Sequence, residues 1–489
     1  MIIELEEIRM NKRFIVYLSN KQGKLIGDYP QEVILKISQA CSYKVEGAEF
    51  SELYQQGRWD GRKRLFNAST WIFPLGLLDR VLLILQQNQI PYSIEDERQR
   101  DCGDYLHRHA NGVGARPYQQ QAIDRAIMRG RGILQVATGG GKTIIGAHLI
   151  YTLSVPALFI VHTKDLLYQA KESFEQVLGI EIGQIGDGVV DPKFITVATM
   201  QSLCILGKKK VKEWDKMERE VPQSVVNIQL AKKAMEDAKL VVWDEVHRCA
   251  CDMALEVSTM ITNAYYWIGL SASPWRDDNA DLLMEGIIGP VIYTLSASDL
   301  IRMGYLVKPI IKMEKVNPVT LTGTYHQLYR INVVDNQTRN QKIVDDAIGL
   351  VEQGLPTLIL VKQIKHGKAL QKLLKEQFGP VDFISGTDYT EKRNSAIKQM
   401  RDGEIDLLIA STIADEGLDI KRLGAVVLAG GGKSSTRALQ RIGRVIRPYE
   451  NKTHAVVIDY ADQCDYLKDQ AEKRKEIYKT EEEFIILEL

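Results

Sequence analysis

Short, uninterrupted apolar runs alternate with amphipathic stretches over most of this chain, and they constrain its fold more than any other feature. A first block, from Arg116 to about Leu295, contains GILQVA, ALFIVHT and LVVWDE. A second block, from about Pro309 to Asp462, contains TLILVK, VDFISG, DLLIAST, AVVLAG and AVVIDY. Strands that are apolar on both faces are typical of parallel sheets covered by helices. The sequence therefore predicts an α/β fold with two parallel-sheet domains.

The 489 residues are too many for one hydrophobic core. Residues 1–105 lie before both of these blocks. They combine a predicted strand (FIVYLSN) with a predicted helix (QEVILKISQAC). We expect a small α+β N-terminal domain over 1–105 and α/β domains over 106–300 and 301–489, the last with a C-terminal tail. Residues 101–115 are rich in glycine and polar residues and predict a linker. The charged stretch 205–235 predicts a surface insertion with solvated lysines.

Composition excludes few classes of function. The 63 basic residues balance the 63 acidic residues, although nucleic-acid binding depends on local basic patches and not on total charge. No apolar run reaches the roughly 18 residues of a membrane span, and the acidic start MIIELEEIRM lacks the basic start and long apolar stretch that are typical of a secretory signal. Six scattered cysteines do not form a disulfide framework. These features predict a cytoplasmic protein with no membrane partner.

The string VATGGGKT predicts a phosphate-binding loop. Gly139 and Gly141 allow the backbone to bend around phosphate oxygens, and the next helix offers its N-terminal NH groups. Lys142 would reach the β- and γ-phosphates, and Thr143 would place its hydroxyl on Mg²⁺. Val136 stands where the strict pattern has glycine, so the match is to a looser form. The alternative is a glycine-rich turn beside a strand.

Asp244 and Glu245, in the string DEVH, follow an apolar strand. The ends of such strands carry the ligand groups of open α/β sheets. Asp244 would hold Mg²⁺, and Glu245 would accept a proton from the attacking water. The alternative is an exposed acidic strand end.

The string QRIGRVIR, from Gln440 to Arg447, lies in the second block. Arg444 and Arg447 are three residues apart, on one face of a predicted helix. Together with Gln440, they would act on the phosphoryl group in a cleft between the two domains, as an arginine finger does. The alternative is an exposed helix with ordinary salt bridges.

The three strings, in this order, resemble superfamily 2 helicases and translocases of the DExH type, over about residues 116–462. This resemblance implies two tandem RecA-like motor domains that use ATP and Mg²⁺. Arg116 and Gln119 in RPYQQQAI resemble the Q motif, which recognises adenine. Gly417 and Asp419 in STIADEGLDI would face the nucleotide. SAS at residues 271–273 replaces the usual SAT and keeps a hydroxyl.

Other strings resemble the family motifs that contact the nucleic-acid backbone. They are HTKDLLYQ and ATMQSL in the first block, and VKQIKHG, ISG and STIADEGLDI in the second. The resemblance implies that Thr163, Thr199, Lys362 and Thr412 contact a strand.

The segments GRWDGRKRLF and FPLGLL are similar to the leading domain of phage UvsW-type helicases, which are DNA branch-migration enzymes. Asp60-Gly61 predicts a tight turn that joins two short strands. Cations and an aromatic ring around this turn would suit backbone contact and base stacking; they are Arg58, Trp59, Arg62 and Arg64. The alternative is a core tryptophan with solvated arginines.

The sequence therefore predicts a monomeric, ATP-dependent DNA helicase or translocase that unwinds or remodels branched or forked DNA. Fork reversal and Holliday-junction branch migration, in recombination, repair or replication, would be its reactions. The expected location is the cytoplasm of a bacterial cell or a phage-infected host. An RNA helicase or a restriction-type DNA translocase fits the same motor motifs, because these grip mainly the backbone. A non-translocating, ATP-switched clamp belongs to another class, and Glu245, Arg444 and Arg447 argue against it.

Overall fold

The computed structural model describes residues 14–209, 222–273, 281–411, 420–432 and 435–488. The chain divides into two compact units. The first contains residues 1–136 and 141–294, and the second contains residues 137–140 and 295–489. Within the described ranges, no helix has both the length and the apolar character needed to cross a membrane.

The N-terminal region of the first unit folds around two small sheets. Its elements are β1 (Phe14–Leu18), β2 (Gly23–Gly27), α1 (Gln31–Ala40), β3 (Ser42–Lys44), α2 (Glu52–Gln55), β4 (Arg62–Arg64), β5 (Ile72–Phe73), α3 (Leu78–Gln87) and β6 (Ser93–Asp96). The four-stranded sheet has the order β5-β2-β1-β6, and β3 pairs with β4. The predicted strand and helix are both present, and α1 and α3 pack their apolar faces on the larger sheet.

This N-terminal region shares its hydrophobic core with a helix from later in the chain. Leu282, at the start of the helix Asp281–Ile288, is buried among the N-terminal core residues. A Cβ atom on Gly76 would lie 1.8 Å from the carbonyl oxygen of Glu285. The Arg80 guanidinium also donates two hydrogen bonds, of 2.7 and 2.6 Å, to the Glu285 carboxylate. The contact is close enough to require glycine at position 76.

The prediction that Asp60-Gly61 joins two strands is wrong. The turn leads into β4, but the partner strand β3 lies before α2 in the chain. The backbone NH groups of Arg58 and Trp59 donate to the Leu53 carbonyl and close the end of α2. The residues before the turn therefore finish a helix and do not form a strand.

The larger sheet of the first unit carries the predicted apolar strands. Its elements are α4 (Tyr105–His109), α5 (Pro117–Arg129), β7 (Arg131–Val136), α6 (Lys142–Leu153), β8 (Ala157–Val161), α7 (Lys164–Leu178), β9 (Gly183–Gly186), β10 (Val189–Asp191), β11 (Ile195–Thr199), α8 (Met200–Lys208), α9 (Gln223–Asp237), β12 (Leu240–Asp244), α10 (Asp252–Met260), β13 (Tyr266–Ser271), α11 (Asp281–Ile288) and β14 (Val291–Leu295). The sheet order is β10-β9-β11-β8-β12-β13-β7-β14, and the strands from β9 to β7 pair in parallel.

The predicted linker at residues 101–115 is fixed to this sheet domain. It contains α4, whose Leu106 is fully buried. The Leu106 NH donates to the Ser154 hydroxyl at 2.7 Å, and the Asn111 NH donates to the Leu178 carbonyl at 2.7 Å. The linker prediction is therefore wrong, because specific hydrogen bonds outweigh the polar, glycine-rich composition.

The prediction of a surface insertion at 205–235 also fails in part. Residues 210–221 lie outside the described residues, but α9 buries one face in the core of the first unit. That face consists of Ile228, Ala231 and Met235, at helical spacing. The lysines of α9 occupy other faces of a helix that is part of the domain.

The second unit is a parallel sheet covered by helices. Its elements are α12 (Ala297–Arg302), β15 (Lys308–Val316), α13 (Tyr325–Tyr329), α14 (Gln337–Glu352), β16 (Thr357–Val361), α15 (Ile364–Gln377), β17 (Asp382–Ile384), α16 (Thr390–Asp402), β18 (Leu407–Ser411), β19 (Ala425–Leu428), α17 (Ser435–Val445), β20 (His454–Asp462), α18 (Leu467–Tyr478) and β21 (Ile485–Glu488). The strand order is β17-β18-β16-β19-β20-β15-β21. The α/β fold with two parallel-sheet domains is thus confirmed.

Three side chains fix the loop between β19 and α17. Tyr329 donates to the Gly430 carbonyl at 2.7 Å. Two buried arginines, each of which also pairs with an aspartate of β20, hold two further carbonyls of this loop. Arg339 donates to the Ala429 carbonyl at 2.9 Å, and Arg474 donates to the Gly432 carbonyl at 2.7 Å. The backbone that leads to the arginine-rich helix is therefore held by residues distant in sequence.

Buried His366 in α15 makes the stability of the second unit dependent on pH. Its Nε2 atom lies 2.9 Å from Asn340 Oδ1, and burial, aided by the nearby Arg339 charge, lowers the pKa of His366 to about 3. The unfolded chain, with a histidine pKa of about 6.5, binds more protons than the folded chain below that pH. The His366 contribution is therefore complete above about pH 6.5 and is lost as the pH falls toward 3, at up to ~1.4 kcal/mol per pH unit.

We expect His366→Gln to flatten the decline of the free energy of unfolding between about pH 6.5 and 5. Urea denaturation of wild type and variant at several pH values measures it. Exposed His454 provides the control, because His454→Gln should keep the wild-type slope. If the free energy of unfolding of His366→Gln falls with pH as steeply as that of wild type, His366 is not the source of the pH dependence.

Candidate active site

The predicted phosphate loop connects β7 to α6. Gly139 and Gly141 have φ angles of 92° and 77°, in the region that favours glycine. Lys142 and Thr143 are the first two residues of α6, so their backbone NH groups are at the positive end of the helix dipole. The loop has the backbone shape and the helix N-terminus that phosphate binding requires.

Gln119 of the Q-motif string lies against this loop. It is 3% exposed, and its Oε1 accepts a 2.9 Å hydrogen bond from the Arg116 NH. A Cβ atom on Gly141 would lie 2.6 Å from Gln119 Nε2. Gly141 is therefore required for close packing as well as for its backbone conformation. The structure brings the Q-motif string and the phosphate loop together, although they are about twenty residues apart in sequence.

The acidic pair follows β12, as predicted. Asp244 ends the strand, and Glu245 adopts φ 48° and ψ 56°, an uncommon conformation for a residue other than glycine. Lys142 Nζ lies 3.5 Å from Glu245 Oε1, and both side chains are largely buried. The turn at Glu245 thus places its carboxylate beside the lysine of the phosphate loop.

The two carboxyl groups differ in their affinity for protons. Burial and the Glu245 charge raise the pKa of Asp244 to about 6. Burial also acts to raise the pKa of Glu245, but the charge of Lys142 and its hydrogen bond to the carboxylate bring that pKa below its usual value. Glu245 is therefore ionised at neutral pH, which a proton acceptor requires.

His247 of the DEVH string connects the acidic pair to the SAS string. Its Nδ1 atom lies 3.4 Å from Glu245 Oε2 and 3.4 Å from Ser271 Oγ. Ser271 ends β13 and is fully buried. Burial lowers the pKa of His247 to about 4, so the imidazole is neutral at neutral pH. Sequence reasoning gave this histidine no role, although its place in the DEVH string was a signal.

The arginine string forms α17, but the structure corrects one detail. The helix ends at Val445, so Arg447 lies beyond it and does not share a helical face with Arg444. Pro448 follows Arg447, and the residue before a proline is disfavoured in a helix. Lys452 Nζ donates to the carbonyls of Val445 and Arg447 and caps this end. The Gln440 side chain, Thr412, Gly417 and Asp419 lie outside what the structure describes.

Two of the predicted strand contacts, Thr163 and Thr199, are N-caps. The Thr163 hydroxyl accepts from the Leu166 NH at the start of α7, and the Thr199 hydroxyl accepts from the Ser202 NH at the start of α8. Thr163 follows β8 and Thr199 ends β11, so both lie at the edge of a parallel sheet where ligands bind. Lys362, which follows β16, is exposed and donates to the Tyr325 hydroxyl at 3.1 Å.

The predicted N-terminal contacts have different surroundings. Arg58 is exposed. Arg62 donates to Ser42 Oγ and O at 3.0 and 2.8 Å, and its own carbonyl accepts from Trp59 Nε1 at 2.8 Å. Arg64 pairs with Asp60 at the surface. Arg62 and Trp59 thus stabilise the β3–β4 pair, while Arg58 and Arg64 remain accessible.

Comparisons with known proteins agree with this architecture. A model of the type III restriction enzyme res subunit matches residues 113–276, and a model of the helicase conserved C-terminal domain matches residues 339–449. The chain is 25% identical over 472 residues to the ATP-dependent DNA helicase uvsW of Enterobacteria phage T4, covering 89% of this chain and 88% of that protein. It is 23% identical over 394 residues to the DNA 3'-5' translocase XPB2 of Sulfurisphaera tokodaii, covering 72% and 83%.

Among solved structures, the ATP-dependent type ISP restriction-modification enzyme LlaBIII bound to DNA has a TM-score of 0.55 and 13% identity, and the match covers 78% of this chain and 32% of that one. This likeness concerns the fold alone. The parallel-sheet domains, the phosphate loop and the acidic pair, with the two family matches in the same order, define an ATP-hydrolysing motor. The chain belongs to the superfamily 2 helicases.

Proposed function

We propose that this helicase is a DNA motor that remodels branched or forked DNA. The observation that carries the proposal is the extent of the match to the phage T4 helicase. It covers 89% of this chain and so includes at least part of the region before residue 113, where the first family match begins. The similarity to this DNA helicase therefore extends beyond the motor motifs, which supports the proposal.

We assign the catalytic roles as follows. Lys142 and the NH groups of the loop at Gly139 and Gly141 bind the phosphates of ATP. Glu245 accepts the proton of the attacking water. Gln440, Arg444 and Arg447 stabilise charge on the transferring phosphoryl group, and Arg116, Gln119, Gly417 and Asp419 contact the nucleotide.

Mg²⁺ would be held by Thr143 and Asp244. The described residues contain no group of three or more His, Cys, Asp or Glu side chains that could hold a metal by themselves. Mg²⁺ needs no such group, because it is commonly bound through one or two carboxylates together with substrate phosphates. The partly buried Asp244 carboxylate at a strand end suits this arrangement.

The proposed division into domains is 1–105, 106–300 and 301–489, and the proposed active form is a monomer. Thr163, Thr199, Lys362 and Thr412 are assigned to a DNA strand, and Arg58, Trp59, Arg62 and Arg64 to the duplex arms of a junction. We place the protein in the cytoplasm of a bacterial cell or an infected host.

A restriction-type DNA translocase is the second candidate function, because the family matched at residues 113–276 is a restriction enzyme subunit. ATP turnover should be measured with no nucleic acid, linear duplex, single-stranded RNA, forks and four-way junctions. Stimulation chiefly by branched DNA, with strand exchange at a junction, supports the proposal. Equal stimulation of ATP turnover by linear duplex favours a restriction-type translocase. Stimulation chiefly by RNA favours an RNA helicase, and no stimulation by any nucleic acid favours an ATP-switched clamp.

The N-terminal contacts give a sharper test. We expect Arg58→Ala with Arg64→Ala to weaken junction binding and to reduce the slope of log affinity against log salt by roughly two, since two phosphate contacts are lost. Arg64 is used because its surface pair with Asp60 contributes little to stability, whereas replacing Arg62 would remove its hydrogen bonds to Ser42.

Binding at several salt concentrations measures this effect, with circular dichroism to monitor folding. Arg108→Ala removes a comparably exposed arginine from α4 and should keep the wild-type slope. If the folded double variant binds junctions and moves their branch points like wild type, the Asp60-Gly61 turn does not recognise the substrate.

A further inference from the structure

Two tyrosines lie beside Lys362 on the second unit, and a third tyrosine contacts one of them. Lys362 Nζ lies 5.4 Å from the centroid of the Tyr325 ring and 5.2 Å from that of Tyr329. The Tyr466 ring meets the Tyr325 ring edge to face, with centroids 6.5 Å apart. We refer to Tyr325, Tyr329, Lys362 and Tyr466 as the tyrosine–lysine cluster. Within the described part of the chain, Lys362 pairs with no carboxylate, so the cluster presents a cation beside aromatic rings.

Tyr466 is held in a strained backbone conformation. Its φ and ψ are 60° and −44°, and the Leu467 NH donates to the Asp465 carbonyl at 2.7 Å. This is a γ-turn with positive φ at its centre, a rare and strained turn. The side chain is 53% exposed, so burial of the ring does not explain its presence. Strain at an exposed aromatic residue points to a function for the ring.

A buried asparagine, Asn332, connects the region after α13, which carries Tyr325, to the residues before the γ-turn at Tyr466. Asn332 accepts from the NH groups of Val319 and Thr320 and donates to Cys464 Sγ at 3.3 Å. It lies in a π-helical turn, Arg330–Val334, directly after α13. Such turns are rare and are frequent at functional sites. Tyr329 of the cluster also belongs to a small hydrophobic core, together with Val333, Val334, Cys464 and Leu467.

The cluster lies at the edge of the sheet where ligands bind. Lys362 directly follows β16, and groups at the C-terminal ends of parallel strands are those that face a ligand in open α/β sheets. An ammonium group suits a phosphate, and an exposed tyrosine ring suits the face of a base. The combination matches one nucleotide of a single strand.

We propose that Tyr466, supported by Tyr325, stacks on a base of single-stranded DNA whose phosphate is bound by Lys362. This inference rests on the proposed DNA motor function and adds a base contact to a motor that otherwise grips the backbone. The stacked base would be held independently of sequence, because every base offers an aromatic face.

The test compares binding of an oligothymidine strand with binding of an abasic strand of the same length. Tyr466→Gly removes the ring and relieves the strained backbone, since glycine adopts positive φ freely. We expect it to weaken oligothymidine binding by roughly five- to 150-fold, the range of one base stack. Binding of the abasic strand should stay unchanged, and the melting temperature should be equal or higher. Tyr466→Phe should bind like wild type, and Lys362→Ala should weaken both strands.

Phe378→Ala is the matched control, because this exposed aromatic residue follows the far end of α15; it should bind both strands like wild type. Unchanged oligothymidine binding by Tyr466→Gly overturns the inference, as does an equal loss on both strands or a loss accompanied by a lower melting temperature. A different result, wild type that binds neither strand and is not stimulated by any DNA, would instead refute the proposed DNA motor.

Discussion

Glu245→Gln is expected to lower kcat for ATP hydrolysis by about 10²- to 10⁴-fold, the usual contribution of a general base. Affinity for ATP should stay close to wild type. The amide keeps the shape of the side chain but cannot accept the proton, and the phosphate loop is unchanged. In the folded chain the Glu245 carboxylate lies 3.5 Å from Lys142 Nζ and is kept ionised by that charge.

Steady-state turnover and equilibrium binding of a fluorescent ATP analogue separate the two effects. Lys142→Ala should lose both turnover and tight binding, since it removes a phosphate contact. Glu236→Gln changes an exposed glutamate of α9 and is the matched control, expected to behave as wild type. Normal turnover by a folded Glu245→Gln variant would show that another group accepts the proton.

Arg474→Ala is expected to lower the free energy of unfolding of the second unit by about 3–5 kcal/mol, as breaking a buried ion pair does. The guanidinium donates to both carboxylate oxygens of Asp459 at 2.8 Å. The two side chains are 5% and 0% exposed. The variant leaves the Asp459 carboxylate buried without its guanidinium partner, while the Tyr478 hydroxyl still donates to it at 2.8 Å.

Urea denaturation followed by circular dichroism measures this loss. Lys479→Ala breaks an exposed pair with Glu476 at the end of the same helix and should cost much less than the loss of the buried pair. Equal urea midpoints of unfolding for Arg474→Ala and Lys479→Ala would mean that the Arg474–Asp459 pair does not stabilise the fold. Because Arg474 also holds the Gly432 carbonyl, ATP turnover below the unfolding transition would report how far the loop before α17 relaxes.

The local parts of the fold and site could be predicted from sequence. LVVWDE forms a buried strand that ends at Asp244, and GGGKT forms a loop into a helix, because apolar runs and glycines determine these features within a few residues. The buried face of α9 also had a local signal, the helical spacing of Ile228, Ala231 and Met235, but the surrounding lysines obscured it. The catalytic roles remain predictions until the variants are measured.

The rest depends on contacts between residues distant in the chain, for which the sequence carries no spacing rule. Nothing in the sequence near Tyr466 indicates that its ring meets the ring of Tyr325, which in turn lies beside Lys362. Arg474 is one of several charged residues in α18, and only the fold shows that it is buried against Asp459. Arg447 leaves its helix because of Pro448, a local signal that the spacing of the arginines obscured.

The close contact at Gly76 limits how the N-terminal region could be exchanged between motors. Because a Cβ at that position would collide with the Glu285 carbonyl, and because Leu282 completes the N-terminal core, the region is not an independent cassette. A chimera that takes residues 14–96 from this chain would also have to take residues 281–288, or redesign both faces together. The N-terminal region and the first sheet domain are thus inherited as one piece.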